Sequence, residues 1–248
     1  MKLDEFTATF KRLPGAMPVW HGIVDATQFR SLCEQVKHDG GKLVALWGSD
    51  ESARDAGYAL HVALVTAAGM LCLTLPVKAE RPAYPDVSDL FPGARRMQRA
   101  VADLLGVHAI GAEDQRKWLR HGSWPGNAHP LRKNFDGNAV FPAEIDAYPF
   151  VTVTGEGVHE IPVGPVHAGT IEPGHFRFSI IGDRVLRLEE RLGYKHKGIE
   201  KRFESMTLEQ GAKLAGRISG DSTVAYAWAY AQAVESVTGS TPPPRALA

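Results

Sequence analysis

Twenty residues from Tyr58 to Val77 are apolar enough to be mistaken for a membrane span, and the way that run resolves decides what the chain can fold into. The run contains His61, Thr66, Gly69 and Thr74, and it breaks at Ala67-Ala68-Gly69. A spanning helix, which needs about 20 predominantly apolar residues, would have to bury those polar side chains in hydrocarbon. Two strands, Tyr58–Thr66 and Met70–Val77, joined by a tight turn, explain the run better. The chain is therefore expected to build a sheet around this hairpin and to carry no membrane span.

The flanking periodicity mixes helix and strand. Asp25–Gly40 places Phe29, Leu32, Cys33 and Val36 on one buried helical face, with Asp25 or Thr27 near the N-cap and Gly40 or Gly41 at the end. Lys42–Gly48 reads as a short strand. Pro82, Pro85 and Pro92 make Glu80–Pro92 an extended connector. Gly93–Leu105 is a second helix, stopped by Gly106, with Met97, Val101, Leu104 and Leu105 on one stripe. From Val107 to Asn138 the periodicity fades into a loop or arm. Strands are then expected at Pro149–Val153, Glu160–Val163, Gly174–Ile181 and Arg184–Leu188, the last two joined at Gly182-Asp183. Helical pattern returns from Arg191, with one or two helices over Leu208–Val237.

Composition narrows the class. Lys plus Arg equals Asp plus Glu at 28 each, so no basic field points to nucleic acid. A chain of 248 residues with 44% hydrophobic content can bury one large or two modest cores, two being the better expectation. Cys33 and Cys72 lie far apart in no ligand spacing, which suits two thiols in a reducing compartment or one disulfide. The opening MKLDEFTATFKRLPG is polar and mixed in charge, unlike a signal peptide.

Chemistry concentrates between Gly164 and Glu235. There GPVHAG (Gly164–Gly169), EPGHFRF (Glu172–Phe178), LEERLGYKHKGIEK (Leu188–Lys201) and AGRISGDSTVAYAWAYAQAVE (Ala215–Glu235) gather glycines, histidines and carboxylates. Such a mixture suits a backbone that approaches something closely, with proton-transferring side chains around it. His167 and His175 flank Glu172, and two imidazoles with a carboxylate can relay protons. The plainer alternative is a surface loop whose histidines bond nearby backbone. His196 and Lys197 lie in a basic turn suited to a subunit interface or to solvent. Tyr226, Trp228 and Tyr230, at spacing two, spread around a helix and read as packing for one buried on several sides.

These four segments resemble, in order and spacing, the large catalytic subunit of group 4 nickel–iron hydrogenases and the quinone-site subunit of respiratory complex I. The hydrogenase branch carries GPVHAG, EPGHFRF and GYxHKGIEK almost as they stand here. The first half resembles the smaller hydrophilic complex I subunit through its hairpin, Asp103-Leu104-Leu105-Gly106-Val107, Trp124-Pro125-Gly126 and HPLRKNF (His129–Phe135). That family has E-R-E where Met97-Gln98-Arg99-Ala100 stands, which implies missing charged contacts between subunits. The resemblance implies an α+β fold with domains at 1–140 and 141–248 and a junction near Gly137–Asp146. The first would be an α/β sandwich-like domain with a mixed or antiparallel sheet. The second would be a small β-sheet leading into helices of a truncated helical bundle.

Departures from the family decide the chemistry that the resemblance implies. The hydrogenase R-I-C-G-x-C is here Arg217-Ile218-Ser219-Gly220-Asp221-Ser222, so serines replace two soft metal-binding thiolates and no nickel–iron centre is expected. The complex I tyrosine that meets quinone falls on Gly220. Glu172 stands where the hydrogenase branch has its proton-transferring glutamate. Arg217 matches an arginine that faces an iron–sulfur cluster of a partner subunit. Ser219, Asp221 and Ser222 would line the cavity, with Asp221 as a head-group ligand or, more simply, a helix cap. The resemblance thus implies a redox subunit that binds no cofactor itself, takes electrons from a partner's iron–sulfur cluster and passes them on, with quinone among the acceptors. It would sit in the cytoplasm, on the inner face of the cell membrane, through iron–sulfur and membrane partner subunits. A non-catalytic assembly subunit is the alternative, and an active nickel–iron hydrogenase fits the serines least.

Overall fold

The computed structural model describes residues 10–15, 17–145 and 147–247. The expectation about a signal peptide, and Asp146 at the expected junction, fall wholly or partly outside these residues. In chain order the elements are β1 (Lys11–Leu13), β2 (Val19–Ile23), α1 (Ala26–His38), β3 (Lys42–Asp50), β4 (Tyr58–Thr66), β5 (Gly69–Val77), β6 (Ala83–Pro85), α2 (Ala94–Leu105) and β7 (His108–Ile110). There follow β8 (Val158–Val163), β9 (His175–Ile181), β10 (Arg184–Arg191), α3 (Ile199–Phe203), α4 (Leu208–Ala215), α5 (Thr223–Thr238) and α6 (Pro244–Leu247). The fold is α+β, with a mixed five-stranded sheet first and a small antiparallel sheet followed by helices after it.

The apolar run is a hairpin, with Tyr58 opposite Val77 and Thr66 opposite Gly69. Gly69 has φ 130°, and a Cβ there would collide with the Pro18 carbonyl oxygen, so the turn requires glycine. Leu60, Val62 and Leu64 alternate along β4, and Leu71, Leu73 and Leu75 along β5; all are buried. The sheet order is β1-β2-β5-β4-β3, antiparallel except for the parallel β2–β5 pair. Helix α1 is capped by Asp25, whose carboxylate accepts from the Gln28 N–H while the Gln28 side chain accepts from the Asp25 N–H. Its Phe29, Leu32, Cys33 and Val36 join Val101 and Leu105 of α2 in one core over the sheet. No described helix is long and apolar enough to cross a membrane.

Three expectations need correction. Pro149–Val153 is not a strand, because its polar groups are claimed by side chains. The Val151 N–H donates to the Glu189 carboxylate (2.6 Å), and the Pro149 carbonyl accepts from Arg116 (3.2 Å). Helix α5 has no buried residue, with Trp228 66% and Val224 78% exposed, so its aromatic series does not pack on several sides within this chain. Tyr230 donates its hydroxyl to the Leu208 carbonyl (2.9 Å) and stacks on Phe203. Asp221 does not cap α5; the N-cap position is Ser222, and no side chain makes the capping bond.

Candidate functional site

The loop from Gly164 to Gly174 joins β8 to β9 and is closed at its neck. A Cβ on Gly164 (φ 77°) would collide with the Gly174 carbonyl oxygen, so the two strand ends touch through bare backbone. Both imidazoles meet at this neck. His175 Nδ1 is 3.0 Å from the Gly164 carbonyl, and His167 Cδ2 lies 3.5 Å from the Gly164 Cβ position.

Their partners set the proton positions. A carbonyl only accepts, so His175 Nδ1 carries hydrogen and Nε2 of the neutral ring presents a lone pair. His167 is the reverse: its Nδ1 accepts from the Gly169 N–H (3.1 Å), so Nε2 of the neutral ring carries hydrogen. Both Nε2 atoms are buried without a partner among the described residues. One imidazole therefore offers a donor and the other an acceptor, complementary roles for proton transfer, although the two Nε2 atoms are not hydrogen-bonded to each other. Glu172 is exposed on the same loop, and the structure does not bring its carboxylate into hydrogen-bonding contact with either ring.

The second cluster forms a separate corner. Arg217 is exposed, with its backbone N–H donating to the Leu214 carbonyl (2.8 Å). Ser219 and Ser222 are half-buried, Asp221 is exposed, and the Ser219 carbonyl accepts from the Ser222 N–H (3.3 Å). Lys197 Nζ donates to the Ile218 carbonyl (2.7 Å), so the basic turn clasps this segment from within the chain.

Sequence reasoning missed the polar clasp that carries the region. Arg99 and Asp103 are buried on α2. A single Asp103 oxygen accepts from the backbone N–H groups of Trp118 (2.7 Å), Leu119 (2.7 Å) and Arg120 (3.0 Å). Arg99 donates to the Lys117 carbonyl (2.8 Å) and the Tyr148 hydroxyl (2.6 Å), so the variant motif around it serves contacts inside the chain. From the other side, Arg191 of β10 donates to the carbonyls of Lys117 (2.7 Å) and Arg120 (2.6 Å). Arg116 bonds Asp114 (2.8 Å) and Glu189 (3.0 Å). The Arg116 bond holds the Asp114 carboxyl down at about 2 against the opposing effect of burial. The signal available in the sequence was weak, since Arg99 and Asp103 stand four apart on a helix that also carries Arg95, Arg96 and Gln98.

Known proteins align with this geometry over most of its length. Formate hydrogenlyase subunit 5 of Escherichia coli (strain K12) is 33% identical over 215 residues, 84% of this chain and 38% of that protein. Hydrogenase-4 component G of the same organism is 33% identical over 217 residues, 85% of this chain and 39% of that protein. The C/D subunit of the NADH-quinone oxidoreductase of Phocaeicola vulgatus is 30% identical over 195 residues, 71% of this chain and 37% of that protein. The chain thus spans less than two fifths of the length of these relatives. Residues 23–140, which hold the hairpin, both sheet helices and the Asp103 clasp, match the family described as respiratory-chain NADH dehydrogenase, 30 Kd subunit, and 71–85% of the chain is similar to these hydrogenase and NADH-quinone oxidoreductase subunits.

Proposed function

We propose that the chain is a redox subunit of a membrane-associated, complex I-like or group 4 hydrogenase-like oxidoreductase. It shapes a cavity beside an iron–sulfur cluster held by a partner and couples electron transfer to proton movement. The observation that carries this reading is the 33% identity with formate hydrogenlyase subunit 5 across 84% of the chain. The loop of His167, Glu172 and His175 supplies the proton groups that the reading needs. In this reading His167 and His175 hand the proton on through their opposite Nε2 roles, and Glu172 is the exchangeable carboxylate at the mouth of the loop. Arg217 faces the partner's cluster, where a guanidinium favours the reduced, more negative state.

A nickel–iron centre of the hydrogenase kind does not fit these residues. Ser219 and Ser222 present hydroxyls where soft thiolates are needed. The chain's two thiols are elsewhere, on α1 and β5, and burial pushes Cys33 up to about 12. The same serines favour a second reading, a scaffold subunit that keeps the fold without the chemistry. In the redox reading, electrons enter and leave through partners, with quinone among the acceptors.

Glu172→Gln separates the two readings in the chain assembled with its iron–sulfur partner. Glu172 is exposed on its loop, so melting temperature and assembly should not change. Proton-coupled turnover should fall about 100-fold or more, the lower end of what a positioned acid or base contributes. A Glu172→Gln variant that assembles and turns over like wild type overturns the relay and leaves the scaffold reading.

A further inference from the structure

A cavity of about 700 Å³ is at neither cluster above; it lies where α2 and the end of β3 face α3. Its walls are apolar, with Leu46, Met97, Val101, Leu104, Leu119 and Leu131 among them. Its volume is that of a small-molecule site, and such sites favour the seam between two packed units. The rim is acidic: Asp50, Glu51, Glu200 and Glu204 contribute four negative charges against two positive ones from Arg54 and Lys133, a balance of −2 with His196 neutral.

One of those carboxylates is aimed by a chain of hydrogen bonds that crosses four strands. His21 of β2 and His61 of β4 both meet Thr74 Oγ1 of β5 (3.0 Å each), and His61 Nε2 meets Ser49 Oγ of β3 (2.8 Å). Ser49 donates its hydroxyl hydrogen to Glu51 (2.6 Å), so it must accept from His61 Nε2–H. Neutral His61 then accepts at Nδ1 from the Thr74 hydroxyl, which in turn accepts from His21 Nε2–H. Every hydrogen in the chain points toward Glu51, which suits the ionised carboxylate as its last acceptor. Burial of His61, which keeps that imidazole below its ordinary value, agrees with the neutral ring this direction needs.

From the apolar walls, the acidic rim and this oriented carboxylate, we infer that the cavity binds a small organic cation with an apolar body, its charge set against Glu51 and Glu200 and its tail between α2 and Leu131. The Glu200 carboxylate is exposed at the rim and makes no side-chain hydrogen bond or ion pair among the described residues. Asp50 and Glu204 are engaged, Asp50 by the Lys133 N–H (2.8 Å) and Glu204 by Lys133 Nζ (2.9 Å), while Glu51 makes a longer pair (3.3 Å) with the exposed Arg54 guanidinium, which a bound cation would have to displace. This inference does not depend on the redox reading, since it uses none of the residues assigned there.

The test uses the full chain with its methionine methyl groups labelled, because the Met97 methyl reports on the cavity wall. Hexylammonium, hexanol and hexanoate are titrated at constant ionic strength. Hexylammonium should shift the Met97 resonance saturably, at least about tenfold more tightly than hexanol and more tightly still than hexanoate. That factor corresponds to about 1.4 kcal/mol. The double variant Glu51→Gln, Glu200→Gln should lose that preference while keeping the weaker binding of hexanol, and Ala100→Phe, which fills the cavity, should abolish both. Equal affinity for the three probes overturns the cation assignment, and no saturable shift with any of them overturns the site. A cation shift that survives Ala100→Phe in a protein with unchanged melting temperature places the probe elsewhere and also overturns it.

Discussion

The two halves of the chain are held by different forces. Every member of the apolar core lies between Val24 and Ala109. Past residue 147 the buried side chains among the described residues are Ser179, Glu189, Arg191 and Ala215, so that region has almost no apolar interior of its own. It is tied to the first by polar bonds instead: Arg191 to the carbonyls of Lys117 and Arg120, Arg116 to Glu189, and Lys201 to the Arg132 carbonyl (2.9 Å). The lesson is that the region carrying the candidate site borrows its order from a self-sufficient neighbour. We propose the corresponding domain limits as 1–140 and 141–248.

Core truncation should expose the contrast most strongly. Leu64→Ala, at a fully buried position of β4, should cost about 2–5 kcal/mol of global stability by chemical denaturation. Leu188→Ala on β10, 46% exposed, should stay within about 0.5 kcal/mol. Comparable losses at both positions would mean that the second region has a core after all.

Cutting the clasp comes next. Asp103→Asn keeps one oxygen for the three backbone N–H groups but removes the charge that strengthens those bonds, so it should cost about 1.5–3 kcal/mol. Amide exchange at Trp118, Leu119 and Arg120 should rise with it, while Val62 and Leu73 keep their relative protection. Loss of protection spread evenly over both regions would contradict a local clasp.

The smallest effect is that of acid. Asp114 sits at about 2 in the folded chain, below an ordinary aspartate at about 3.9. A depressed carboxyl stabilises the fold above its unfolded value and loses that contribution as pH falls through its folded value. The Arg116 clasp should therefore be intact above about pH 4 and weaken between about 4 and 2. Asp114→Asn should flatten the stability-versus-pH curve in that window only. Glu189 adds to the same trend: burial raises its carboxyl, but the Val151 N–H with Arg187 and Arg116 outweighs it and holds it low. A steep fall already complete by about pH 5 would point to other groups.

How far the sequence could be read follows the same division. The hairpin, the buried face of α1 and the Gly106 stop of α2 were legible because apolar side chains recur with the period of the element they occupy. Polar burial has no such period. Arg99 and Asp103 lie outside the apolar stripe of α2, and their partners lie 15 or more residues away, on segments without regular structure. Pro149–Val153 looked like a strand because its composition is right, yet Glu189, 38 residues on, takes the Val151 N–H that a neighbouring strand would have used. At the site, the glycines signalled a close backbone approach, but that Gly164 meets Gly174 was visible only in the structure. The opposite hydrogen positions of His167 and His175 required the carbonyl and amide that each ring meets.

Native-state hydrogen exchange across the whole chain, with Arg191→Met beside wild type, tests the borrowed order most directly. The account predicts that amides of Val62, Leu64 and Leu73 exchange only through global unfolding. Those of Phe176, Phe178 and Ile180 should exchange through a lower-energy opening that Arg191→Met makes at least about tenfold more frequent. Equal protection in the two sheets, unchanged or changed together by Arg191→Met, would contradict it.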